Sequence, residues 1–182
     1  MKSRAIVPLA LVLLVAGLTT AGVSASDRRV GVRARPACTI FGTSGDDEIR
    51  GTPARDVICA KGGDDYIQAL GGRDVVLAGP GNDLVEGGSG GDTIRGGPGL
   101  DILLGEQGRD RLSGGPGRDD VRGGPARDLI RGGGGSDYCL NAIDGRPGDR
   151  VFGGPGRDRG DRDAGDTLRS VETVVTFVCF GG

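Results

Sequence analysis

From Gly42 to Leu140 a buried-type residue recurs at every ninth position: Ile49, Ile58, Ile67, Val76, Val85, Ile94, Leu103, Leu112, Val121, Ile130 and Cys139. Each stands between two residues free to face outward, so every unit closes on a three-residue strand with one side chain in and two out. Two places before each of them is an aspartate: Asp47, Asp56, Asp65, Asp74, Asp83, Asp92, Asp101, Asp110, Asp119, Asp128 and Asp137. The first and fourth places are Gly or Ala throughout, and glycine supplies turns with φ > 0 that other residues resist. A fixed period of this kind marks a repeat architecture. No single unit can bury its Val or Ile alone. Stacked two units to a coil, they predict an all-β chain of two small parallel sheets facing across a thin apolar seam, rising ~4.8 Å per coil.

Such units resemble the haemolysin-type (RTX) nonapeptide GGxGxDxUx, a calcium-binding parallel β-helix repeat. The likeness is close over 42–140 and weak to about 169. It implies a parallel β-roll (a right-handed β-helix or solenoid) with several Ca2+ ions between stacked turns. In the family the ions are held by the sixth-position carboxylates, here the eleven aspartates above, and by glycine-turn carbonyls. The turns nearest the family pattern are 87–92, 96–101, 114–119 and 132–137, which contain Gly87, Gly90, Gly96, Gly99, Gly114, Gly117, Gly132 and Gly135. Thr43, Thr52, Lys61, Leu70 and Glu106 at the second place, and Ala54 and Ala126 at the fourth, depart from it.

Electrostatics points the same way. Units alternate edges, so one column stacks Asp47, Asp65, Asp83, Asp101, Asp119 and Asp137, and the other Asp56, Asp74, Asp92, Asp110 and Asp128. Carboxylates on the order of 5 Å apart repel by ~3 kcal/mol at an effective dielectric of 20. Summed along two columns this rivals a domain's whole stability of ~5–15 kcal/mol. A positive group is needed, and calcium is a hard cation that takes six to eight oxygen ligands. The competing source of charge is arginine at the fifth place: Arg55, Arg73, Arg109, Arg118 and Arg127.

The flanks complete the organisation. Residues 1–25 read as a secretory signal, with Lys2 and Arg4 before an apolar run from Ala5 to Leu18 and small residues Val23-Ser24-Ala25 at the end. That run is short for a bilayer and contains Pro8, so no membrane span is expected after cleavage. Residues 26–41 form an arginine-rich linker and N-terminal cap, either solvated or attached to an anionic envelope surface. After Leu140 three residues, Asn141-Ala142-Ile143, interrupt the frame. The stretch 141–182 then carries degenerate units that keep Asp149, Val151 and Asp158 but place Gly160 where an apolar residue belongs, and it reads as a C-terminal cap. Four cysteines permit three pairings. Cys59 and Cys139 are about four coils or ~20 Å apart on the roll, beyond the ~7 Å a disulfide spans. Cys38–Cys59 and Cys139–Cys179 follow, unless the tail runs back along the roll.

The chain has no His, no nucleophile motif and no phosphate loop, and its formal charge of −2 gives no argument for nucleic acid. The expected function is calcium binding by a secreted, extracellular, non-enzymatic repeat protein. The alternative is an extracellular interaction or adhesion module whose calcium is purely structural, with a protein or envelope partner. Tyr66, Leu84, Ile102 and Leu104, outward apolar residues on neighbouring coils, motivate it.

Overall fold

The computed structural model describes residues 37–162, 166–171 and 173–174. Its elements run β1 (Ile40–Phe41), β2 (Glu48–Arg50), β3 (Val57–Cys59), β4 (Tyr66–Gln68), β5 (Gly71–Gly72) and β6 (Val75–Leu77). They continue with β7 (Leu84–Glu86), β8 (Ser89–Gly90), β9 (Thr93–Arg95), β10 (Ile102–Leu104), β11 (Arg111–Pro116) and β12 (Asp120–Arg122). The last are β13 (Leu129–Gly134), β14 (Cys139–Ala142), β15 (Arg150–Phe152), β16 (Arg159–Arg162), β17 (Thr167–Arg169) and β18 (Thr173–Val174). No helix occurs among the described residues.

Among the described residues the strands form two parallel eight-stranded sheets, β1-β3-β6-β9-β11-β13-β15-β17 and β2-β4-β7-β10-β12-β14-β16-β18, with β5 and β8 pairing separately. Alternate units supply alternate sheets, so the pairing step is two units long. Ile49 lies opposite Ile67, Ile67 opposite Val85, and Val85 opposite Leu103. On the facing sheet Ile58, Val76, Ile94, Leu112 and Ile130 stack in the same way. These two columns are the core, and each interior member is essentially solvent-free. The fold is the parallel β-roll expected from the period.

One place in the core differs from the nine-residue frame. Cys139 should stand in the apolar column, yet Val121 pairs with Leu140, while Cys139 lies opposite Asp120. The strand has gained one residue, and the turn that follows gains two before Asp149 resumes the aspartate column below Asp128. The three-residue interruption is thus divided between a strand bulge and a longer turn. Leu140 fills the seam with a larger apolar side chain than cysteine offers, while Cys139 is still fully buried. Gly160 occupies the next slot, opposite Leu140, as the frame predicts. Val171 and Leu168 pack toward the space its missing side chain leaves.

At the other end Cys38 and Cys59 are joined by a disulfide with Cα atoms 5.9 Å apart. The pairing Cys139–Cys179 involves a residue outside those described, as do the signal segment, most of the 26–41 linker and the last residues of the cap.

Candidate metal centre

Every turn ends on its aspartate at the mouth of a strand, and the two carboxylate oxygens do different work. Oδ1 is a structural acceptor. The backbone N–H of Asp83 donates to Oδ1 of Asp101 at 3.0 Å, and that of Asp101 donates to Oδ1 of Asp119 at 3.0 Å. On the other edge Asp74 donates to Asp92, Asp92 to Asp110 and Asp110 to Asp128, each at 2.8 Å. Both columns read from the sequence are therefore real ladders, extended past the interruption by Asp149, Asp158 and Asp166. The first two extensions keep their unit's pattern; Asp166 opens DTLR at 166–169, which echoes DTIR at 92–95.

Oδ2 is the other matter. In Asp65, Asp74, Asp83, Asp92, Asp101, Asp110, Asp119, Asp128 and Asp137 this atom is buried and accepts no hydrogen bond among the described residues. In the units that begin with glycine it points back at that residue: a Cβ on Gly96, Gly114 or Gly132 would collide with Oδ2 of Asp101, Asp119 or Asp137. At the fourth place a Cβ on Gly99, Gly117 or Gly135 would collide with the carbonyl oxygen of Gly81, Gly99 or Gly117. Only glycine lets that carbonyl close on the next coil. Gly99, Gly117 and Gly135 also have φ between 133° and 157°, which side-chain-bearing residues avoid.

Burial without a donor raises these acids. Desolvation, with the neighbouring aspartates adding to it and the N–H on Oδ1 opposing it, pushes Asp101, Asp110 and Asp128 up to about 7. The same causes put Asp65, Asp74, Asp119 and Asp137 at about 6. A column of ionised carboxylates with one oxygen each left dry calls for a cation.

The departures from the repeat sort into two kinds. Lys61, Leu70, Glu106 and Ala126 hold the same left-handed backbone as the glycines they replace, with φ of 85°, 76°, 66° and 125°. Thr43 and Thr52 instead build a different turn. The N–H and Oγ1 of Thr52 both donate to Oδ2 of Asp56, at 2.7 and 2.9 Å, and Thr43 does the same for Asp47 at 2.5 and 3.0 Å. In this first coil the carboxylate is satisfied by hydroxyl and amide. Thr43 and Thr52 were visible as departures, but their capping role was not.

Fifth-place arginines do not neutralise the columns. Arg73, Arg109, Arg118 and Arg127 are exposed, and among the described residues the ion pair found is Arg122 with Asp120 at 2.7 Å. Arg55 and Arg109 pull Asp74 and Asp128 down slightly, yet both acids remain raised. On the opposite edge the fifth place forms a second ladder, in which Asp64 donates to Asp46, Asn82 to Asp64 and Leu100 to Asn82.

No three acidic, histidine or cysteine side chains converge on one point among the described residues. A cation between turns would take carboxylates of successive coils and complete its shell with backbone oxygen, as a hard ion with six to eight ligands can. The donor set, all oxygen and without nitrogen or sulfur, suits calcium and not zinc.

A family model described as RTX calcium-binding nonapeptide repeat (four copies) matches residues 39–67, 51–85, 60–94, 77–112, 86–121 and 113–140. No curated protein matches the chain.

Proposed function

The chain belongs to the RTX calcium-binding nonapeptide repeat family, and on that premise we propose that it is a secreted, non-enzymatic protein whose stacked turns take up calcium and fold as they do. The observation that carries this reading is the set of nine buried Oδ2 atoms, in Asp65 to Asp137, with no donor. Asp47 and Asp56 stand apart, because Thr43 and Thr52 already satisfy them. Their coil starts the roll without needing an ion. The turns 87–92, 96–101, 114–119 and 132–137, with glycine at first, second and fourth places, are the best candidates for full occupancy. Export, read from residues 1–25, would deliver the chain to a compartment where Cys38–Cys59 can form.

A calcium titration of the mature chain, followed by circular dichroism and calorimetry, tests the proposal. The chain should be largely disordered in chelator and fold cooperatively at roughly 10⁻⁴–10⁻³ M calcium, the range of extracellular modules. A strand-rich spectrum with a sharp melt in excess chelator, unchanged by calcium, would overturn it.

The alternative, an adhesion or interaction module, draws on one column of the second sheet. Tyr66, Leu84 and Ile102 are register partners on successive coils, and Ile102 is 43% exposed. Leu104 stands beside them in the neighbouring column, opposite Glu86. That patch is small, and the Tyr66 hydroxyl is engaged by Glu86 at 3.2 Å, so calcium binding is the better-supported role.

A further inference from the structure

The fifth place of the unit, sorted by coil edge, is chemically lopsided. On the edge that feeds the first sheet it carries Arg55, Arg73, Gly91, Arg109 and Arg127; on the other it carries Asp46, Asp64, Asn82, Leu100, Arg118 and Ser136. The arginine edge contains a groove of about 730 Å³, lined by Arg73, Arg109 and Arg127 along the edge and by Arg111 and Arg150 from the adjoining sheet. Glycine at position 91 makes the opening. Arg73 leans over it, its Nε 3.8 Å from where a Cβ of Gly91 would sit. Arg127 likewise lies across Gly148 in the lengthened turn, where a Cβ would be 2.7 Å from its Nε. Arg111 and Arg150 flank Leu129 at equivalent places of β11, β13 and β15, so their guanidinium groups rise from the same side of the sheet.

These five arginines are exposed, and none forms an ion pair with a described carboxylate. Asp110 and Asp128 contribute to the floor, but their side chains are buried in the aspartate column. From β6 onward the outward places of that sheet hold no acid, and Arg95 and Arg131 extend the positive surface beyond the groove. Five like charges gathered round one opening, with only the buried Asp110 and Asp128 beneath them, repel one another unless an anion enters. Guanidinium groups approaching from the edge and from the sheet can each offer a fork of donors. A planar carboxylate meets one such fork well. A tetrahedral group with several oxygens and two charges can meet forks from more than one side.

We propose that the groove over Gly91, between Arg73, Arg109, Arg127, Arg111 and Arg150, is a binding site for a doubly charged tetrahedral oxyanion of the sulfate or phosphate class. The site lies on the outside of the roll and needs the folded coil, not an ion at any particular aspartate. Its failure and that of the calcium reading are therefore separable, since folding is followed independently by circular dichroism.

The test uses calcium-saturated mature protein at constant ionic strength, with sulfate as the probe because it leaves millimolar calcium in solution. Nitrogen-15 correlation spectra should show saturable shifts of the Gly91 amide and of the Arg73 and Arg109 Nε–H groups, with a midpoint on the order of 10⁻³ M. Gly91→Asp places a carboxylate in the opening, where a Cβ would meet the Arg109 carbonyl at 3.3 Å and little else. It should abolish the sulfate shifts while circular dichroism in saturating calcium still reports the folded roll. Should that variant not fold, Arg109→Gln serves instead and should weaken sulfate binding by about tenfold. Dextran sulfate forms the second arm. Affinity at least tenfold above inorganic sulfate identifies a chain-borne group as the source, and equal affinity per sulfate identifies the free ion. Absence of saturable shifts at these residues, or equal shifts in Gly91→Asp, overturns the proposal.

Discussion

Each aspartate of the roll serves two purposes through two atoms, and a substitution separates them. Asp101 accepts the Asp83 N–H on Oδ1 while its Oδ2 is buried without a donor. Asp47 is partly exposed, belongs to the first coil and has Oδ2 held by Thr43. Removing one partner of a buried charge cluster costs ~3–5 kcal/mol, whereas exposed pairs are worth ~0–1. Asp101→Ala is therefore expected to raise the calcium midpoint for folding several-fold and lower its cooperativity, while Asp47→Ala does little. Matched titrations decide it, and equal shifts would mean independent sites. Ala126 provides a second residue-level test. Its φ of 125° belongs to glycine, a strain of ~1–3 kcal/mol, against which glycine loses ~0.4–1 in chain entropy. Its N–H bond to Asp144, at 2.8 Å, is independent of the side chain. Ala126→Gly should stabilise the calcium-loaded protein by about 1 kcal/mol in denaturant melts, and a loss of stability would refute the strain argument.

At the scale of elements, interior strands of three residues survive because each has a partner on both sides, so the ends are the weak points. β1 is two residues long and pairs with β3 alone. The Cys38–Cys59 disulfide ties the chain just before β1 to the last residue of β3, closing 21 residues of sequence separation. Loops of that size give disulfides worth ~3 kcal/mol. Cys38→Ser with Cys59→Ser should therefore strip hydrogen-exchange protection from residues 40–59 first and leave protection at β9 to β11 nearly intact. Uniform loss along the roll would show that the coils unfold as one unit. The bulge at Cys139 shows the same logic from inside the array. The roll absorbs an extra residue in β14 by unpairing one position while keeping both apolar columns continuous.

For the molecule as a whole, the aspartate columns set the response to pH and to metal together. In metal-free protein burial pushes Asp65, Asp74, Asp119 and Asp137 up to about 6 and Asp101, Asp110 and Asp128 up to about 7, against ~3.9 when unfolded. Between these values the folded state binds more protons, so stability is fully present below pH ~4 and is lost as pH rises through 6 to 7. Chelated protein should thus gain strand structure on acidification from pH 7.5 to pH 4.5, by circular dichroism. Protons and calcium compete for the same oxygens, so the calcium midpoint should move to higher concentration as pH falls below about 6. A midpoint flat from pH 7.5 to 5 would place the ions elsewhere.

Much of this was legible because a nine-residue unit solves its own problem locally. Glycine turn, aspartate and one inward side chain recur from Gly42 onward, and with that period the two sheets, the apolar columns and the two aspartate ladders follow. Gly160 was readable as a missing core residue for the same reason. Sorting the fifth place by edge would also have exposed the arginine column, since it obeys the same alternation. What the tertiary structure alone decided are the positions where two local solutions compete. Cys139 and Leu140 are both apolar and adjacent, and only the seam between coils above and below selects Leu140. Thr43 and Thr52 could have kept the left-handed turn, as Lys61 and Leu70 do, but their hydroxyls offer Oδ2 a donor that no glycine has. Whether the arginines meet the aspartates or turn from them depends on which way each side chain leans over the next coil. That is settled by the space at Gly91 and Gly148, a contact 18 or 21 residues away that no unit read by itself contains.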